Sequence, residues 1–172
     1  MEDGRNMARE LLSRGKRNVL YLTLDNRLMF ANKRGMGLQE EITTGGGTFD
    51  LLNAGDISTP SGVDCNGYNL LKDELQKRLQ TSSVDALVCS QGKIWDTMLE
   101  AIAAAGKKPE DFTLGSFNRL PADKKVQENM LIFDQPIARM AQEAVDLSGR
   151  LLAGGKPEQI LFKSEQLPPV GK

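Results

Sequence analysis

The sequence contains no histidine. That removes the commonest general base, the usual partner of a nucleophilic serine and the commonest metal ligand. Its two cysteines, Cys65 and Cys89, lie far apart and lack metal-ligand spacing. They are read as reduced thiols, with a disulfide between them as the minor alternative. Gln91-Gly92-Lys93 ends like a phosphate loop, but Ile94 stands where Ser or Thr is required and Leu87 where the first glycine belongs. Gly45-Gly46-Gly47 precedes a strand pattern instead of opening a helix, so it reads as a turn and not as a dinucleotide fingerprint. The expectation is a protein with no catalytic residues, no metal and no cofactor. Recognition is the chemistry that remains. Arg34 leads the candidates, because its planar fork donates paired hydrogen bonds to hydroxyls, carboxylates or phosphates. Its competing reading, beside Lys33, is a solvated helix charge.

The elements that would position Arg34 alternate between helix and strand. Met7, Ala8, Leu11 and Leu12 give an apolar helix face closed by Gly15. Val19–Leu24 reads as a buried strand, and a helix from about Leu28 to Ile42 is expected to start at the N-capping pair Asp25-Asn26. The glycine triplet then breaks the chain before strand Thr48–Ala54. Gly55–Asp64 reads as a loop. Tyr68, Leu71, Leu75 and Leu79 share one helical face, and strand Val84–Cys89 follows. A helix striped by Ile94, Met98 and Ile102 stops at Gly106. Strand Phe112–Phe117, a polar loop Asn118–Asn129, strand Met130–Phe133, helix Ile137–Leu152 and a last strand Ile160–Phe162 complete the series. Units of this length force parallel pairing through crossovers, hence an α/β fold with an open sheet covered by helices. Ligands of such sheets sit beyond the carboxyl ends of the strands, near the switch point. The loops after Leu24, Ala54, Cys89 and Phe117 are the expected functional places.

Composition bounds the partners. A net charge of −1 leaves no basic stripe to displace counterions from DNA, so the chain is not expected to hold DNA by itself. Hydrophobic residues at 40% and charged residues at 26% over 172 residues suit one globular domain. Aromatics at 5% leave the core to Leu, Ile, Val, Ala and Met. No apolar run reaches membrane length and no secretory leader is visible, so a cytoplasmic protein without membrane contact is expected.

Several short segments occur in a telling order: Arg34-x-x-Gly37-Leu38, Asn66-Gly67-Tyr68, Val84-Asp85-Ala86-Leu87-Val88-Cys89, Pro109-Glu110-Asp111-Phe112-Thr113 and Gln135-Pro136-Ile137. Together they resemble the effector-binding core of the lac-repressor/galactose-repressor (LacI/GalR) family of bacterial transcription regulators. The resemblance runs from Glu2 to about Leu167. It implies one lobe of a periplasmic-binding-protein-like type I core, with an open, mainly parallel sheet. Residues 1–135 would form the C-terminal lobe of the effector-binding domain. Residues 136–157 would be a crossover helix belonging to a first lobe that is missing here, and 158–172 the final strand and tail. The orphaned apolar face of that helix is expected to dock on its own lobe, a symmetry mate or a swapped partner.

The resemblance also implies site residues. Arg34 would face the ligand cleft, with Gly37 letting its helix pack closely on the sheet. Ser90 stands where the family has Asn-Asp, and Asn118 where it has a ligand-gripping aspartate; each is read either as a ligand contact or as a loop cap. Gln135 and Asn26 join them as implied ligand contacts. Trp95 is read either as a half-buried boundary residue or, with Met98, as part of a dimer interface. Ile57 could take the place of an aromatic that stacks on a sugar. The implied function is sensing of a small-molecule effector, of the sugar or phosphorylated-sugar class, by a homodimer that reaches DNA only through an absent N-terminal domain. The rival reading is a lobe of a solute-binding protein in transport or sensing.

Overall fold

The computed structural model describes residues 1–57, 65–118, 120 and 127–169, without the side chains of Asp56, Ile57, Cys65 and Asn66. In chain order the elements are α1 (Glu2–Ser13), β1 (Asn18–Thr23), α2 (Met29–Thr44), β2 (Thr48–Asn53), a helical turn α3 (Ala54–Ile57), α4 (Cys65–Thr81), β3 (Ala86–Cys89), α5 (Trp95–Ala104), β4 (Thr113–Phe117), β5 (Met130–Asp134), α6 (Ile137–Leu152) and β6 (Glu165–Leu167). The six strands form one sheet in the order β2-β1-β3-β4-β5-β6. All pairs are parallel except β5 with β6. The open, mainly parallel α/β sheet expected from the sequence is the one found.

Period-two alternation along the strands divides the interior into two layers. Val19, Tyr21, Ala86, Val88, Phe117, Leu131 and Phe133 face α1 and α2, where they meet Met7, Ala8, Leu11, Leu38 and Ile42. Leu20, Leu22, Leu87, Cys89, Leu114 and Ile132 face α4 and α5, where they meet Leu71, Leu75, Leu79, Trp95, Met98 and Ile102. Both faces of the central strands are covered, which is why those strands read as continuous apolar runs.

Helices α1 and α2 come unusually close. A Cβ on Gly4 would lie 2.1 Å from the Arg34 carbonyl oxygen, and one on Gly37 would lie 2.2 Å from that of Met1. Gly37 was expected to seat α2 on the sheet. It seats α2 on α1 instead, and Gly35, whose Cβ would stand 2.9 Å from the Tyr21 ring, is the glycine that meets the sheet.

Other expectations also change. Asp25 and Asn26 do not cap α2: its N-cap is Leu28, with no side-chain cap. Asp25 folds onto the next turn of chain, where its Oδ1 accepts from the Arg27 amide at 2.9 Å and its Oδ2 from the Arg27 guanidinium at 2.9 Å. Gly55 opens inside α3 and not in a loop; residues 58–64 and 121–126 lie outside the described residues. The last strand is Glu165–Leu167, not Ile160–Phe162. A strand is made by its pairing more than by its propensity. Residues 165–167 reach the free edge of β5, in the register Ile132↔Leu167, while Phe162 lies 5.9 Å from the Arg139 guanidinium.

Helix α6 matches its expected range and buries nothing. Ile137, Met140, Val145, Leu151 and Leu152 are all exposed. Of the destinations expected for its apolar face, the chain's own lobe is not the one used among the described residues.

Candidate functional site

The order β2-β1-β3 places the switch point between β1 and β3, where successive crossovers leave in opposite directions and the carboxyl ends open a crevice. Ser90 follows β3 and Asn118 follows β4, on adjacent strands of that edge. The Ser90 amide donates to the Leu22 carbonyl at 2.8 Å, which fixes the turn leaving β3 against β1. The Asn118 amide donates to the Phe133 carbonyl at 2.8 Å, and its φ of 71° puts it in the left-handed region, where Asn is among the few tolerant residues.

Arg34 reaches this edge from α2 and is only 4% exposed. Its Nη1 donates to the Ser90 carbonyl at 2.9 Å and its Nη2 to Asn118 Oδ1 at 3.2 Å. Two rings flank the guanidinium: Phe117 with its centroid at 4.8 Å and Phe30 at 5.4 Å. Such cation–π contacts are worth roughly 0.5–2 kcal/mol each. Burial still pulls the Arg34 pKa down, against the pull of Tyr21 and Asp3. Arg34 is therefore no solvated helix charge.

Beneath it, the Tyr21 hydroxyl donates to the Ala31 carbonyl at 2.8 Å, and burial pushes the phenol's pKa up. The Ser90 hydroxyl stands close to Tyr21, yet without hydrogen-bond geometry to it. Ser90 Oγ is the one fully buried side-chain N or O atom without a partner among the described residues. An orphaned buried hydroxyl costs about 1–3 kcal/mol.

The structure thus brings Arg34, Ser90 and Asn118 together. Neither Gln135 nor Asn26 is hydrogen-bonded to that cluster. Asn26 lies on the β2 side, where its amide donates to Asn53 Oδ1 at 3.1 Å. Gln135 lies beyond β5, in an open hollow of about 470 Å3 bounded by Asp134, Pro136, Ile137, Arg139, Glu165 and Leu167. Trp95 and Met98 are a correction. Both are 0% exposed within the α4–α5 layer, so neither has surface to offer a second subunit. The side chain of Ile57 lies outside the described residues.

Phe30 and Phe117 were not singled out from the sequence. The spacing of Phe30 and Arg34, one helical turn apart, was the available signal. Phe117 gave none, since it reads as an ordinary strand residue. Cys89 is free and buried; its thiol donates to Met98 Sδ at 3.6 Å, and burial pushes its pKa up. The side chain of Cys65 is outside the described residues. Among the described residues no group of three His, Cys, Asp or Glu could hold a metal, and no helix is long and apolar enough to cross a membrane.

No protein-family model and no curated protein matches the sequence. Solved structures match the fold. A regulatory protein of the LacI family from Chloroflexus aggregans aligns with a TM-score of 0.78 at 18% identity, over 97% of this chain and 59% of that one. The transcription regulator CcpA of Lactococcus lactis gives 0.73 at 20% identity, over 97% and 60%. A periplasmic binding protein/LacI transcriptional regulator from Alkaliphilus metalliredigens QYMF, solved with D-xylulofuranose, gives 0.72 at 13% identity, over 99% and 63%. The fold is that of the periplasmic-binding-protein-like cores of these regulators. The chain spans 59–63% of their length.

Proposed function

We propose that this chain is the small-molecule-sensing part of a bacterial transcriptional regulator of the LacI/GalR type. The observation that carries the reading is the convergence of Arg34, Ser90 and Asn118 at the switch point of the sheet. A hydrogen-bonding cluster in that place binds small molecules in open α/β sheets generally. The shared fold supports the regulator assignment, and the sugar bound by one structural neighbour supports a sugar or sugar derivative as effector.

In this reading residues 1–135 are the C-terminal lobe, 136–157 the crossover helix that pairs with a first lobe, and 158–172 the closing strand and tail. Effector held between the lobes favours one lobe arrangement, and a homodimer converts that into a changed spacing of DNA-binding heads. The protein acts in the cytoplasm, binds no membrane and catalyses nothing. With half a cleft, the chain alone binds effector in the millimolar range, about 4 kcal/mol.

Reading the source gene upstream of Met1 separates this function from its rival. A helix-turn-helix followed by a first lobe supports the regulator. A cleavable secretory leader in place of the helix-turn-helix means a solute-binding protein. At the level of the site, Arg34→Ala should abolish sugar-dependent shifts of the Ser90 and Asn118 amide resonances; retained shifts would move the binding site elsewhere.

A further inference from the structure

Arg34 is the buried arginine among the described residues, and its guanidinium forms no ion pair with a carboxylate among them. Arg5, Arg9, Arg27, Arg78 and Arg150 each meet a carboxylate, and each is more exposed. The partners of Arg34 are a backbone carbonyl, an amide oxygen and two aromatic faces, all of them neutral. Asp3 acts on it from a distance, without an ion pair, and the Tyr21 phenol is held neutral by burial. A buried cation normally takes a paired counter-charge, because neutral dipoles replace only part of its lost hydration. A second observation is independent of the first: Ser90 is 1% exposed, and its hydroxyl has no partner beside the carbonyl that Arg34 binds. An unpaired cation and an unpaired hydroxyl donor therefore share one corner of the crevice. The cover over the guanidinium is Phe30, itself 39% exposed.

We propose that the effector is an anion, carrying a carboxylate or phosphoryl group whose oxygens pair with Arg34 and accept a hydrogen bond from the Ser90 hydroxyl as Phe30 gives way. The proposal rests on the sensing function and narrows its ligand class. Asn118 serves that class, since an aspartate there would supply the counter-charge internally and repel an anionic ligand.

The test is an NMR titration of the 172-residue chain at fixed ionic strength, following the Arg34 Nε–H and the Ser90 and Asn118 amides. The probes are glucose, glucuronate and glucose 6-phosphate, then ribose, ribose 5-phosphate and inorganic phosphate. The charged members should shift these resonances at least about ten-fold more tightly than the neutral ones. Glucuronate prevailing identifies a sugar acid; the phosphates prevailing identify a phosphorylated ligand. Asn118→Asp should remove the preference, and Ser90→Ala should weaken the anions alone by several-fold. Neutral sugars binding as well as their charged partners would overturn the anionic class while leaving the sensing function standing. If none of the probes moves these resonances, the sensing site and the anionic class fall together.

Discussion

Helices α5 and α6 carry similar apolar stripes and end differently. On α5, Trp95, Met98, Ala101 and Ile102 are each 0% exposed. On α6, no residue is buried. Amphipathic spacing shows that a face seeks cover; it does not say whether the cover is present. The contrast separates a face that this chain covers from one that stays bare among the described residues.

The largest expected effect tests that contrast directly. Trp95→Ala removes a fully buried indole and should cost about 3–5 kcal/mol in denaturant unfolding. Met140→Ala and Leu147→Ala on α6 should stay within about 0.5 kcal/mol. A loss on α6 as large as that on α5 would mean that its stripe is covered in solution. Hydrogen exchange sharpens the same comparison. The α5 amides should open only with the whole domain, whereas α6, held by its own turns and a few exposed ion pairs, should exchange with a far smaller opening energy. Equal protection of the two helices would break the comparison.

How much of this was legible in the sequence differs from element to element. The range of α6 could be read because Gln135-Pro136 forces its start and Gly154-Gly155 its end. The inward turn of Trp95 could not. A 3-10 turn over Gly92–Ile94 leads into α5 and shifts the helical phase, so Ile94 and Trp95 are both buried although one stripe admits only the first. The β6 strand was missed because Ile160–Phe162 has the better propensity, while the edge of β5 lies within reach of the more polar Glu165–Leu167. At the site, Arg34, Ser90 and Asn118 came from motif order, but their mutual contact and the rings around Arg34 depend on partners as far as 84 residues away. No local pattern encodes such contacts.

Two arginines carry the comparison into electrostatics. Arg150 on α6 holds Glu143 at 2.9 Å and Glu158 at 3.2 Å in open solvent, and its replacement by Met should leave stability unchanged. Arg34→Lys keeps the charge but loses the planar fork that joins Ser90 to Asn118. It should cost about 1–2 kcal/mol, read by thermal unfolding. A silent Arg34→Lys would mean that the fork does not bind the strand ends together.

The effect of Ser90→Ala is modest but the most diagnostic, because its expected sign opposes intuition. Ser90→Ala removes a buried hydroxyl that satisfies nothing, leaving a methyl among Tyr21, Arg34 and the end of β3. Loss of a hydrogen-bonded hydroxyl would destabilise; loss of an unpartnered one removes a desolvation cost and opens almost no volume. Thermal unfolding should show a gain of up to about 1 kcal/mol, or roughly 2–4 °C in Tm at this chain length. The same variant should bind its small molecule less well. A gain in stability joined to a loss of affinity is the mark of a group kept for a ligand at the expense of the fold. A Ser90→Ala variant that is less stable would instead place a hidden partner on that hydroxyl, and the site would then be satisfied without any ligand.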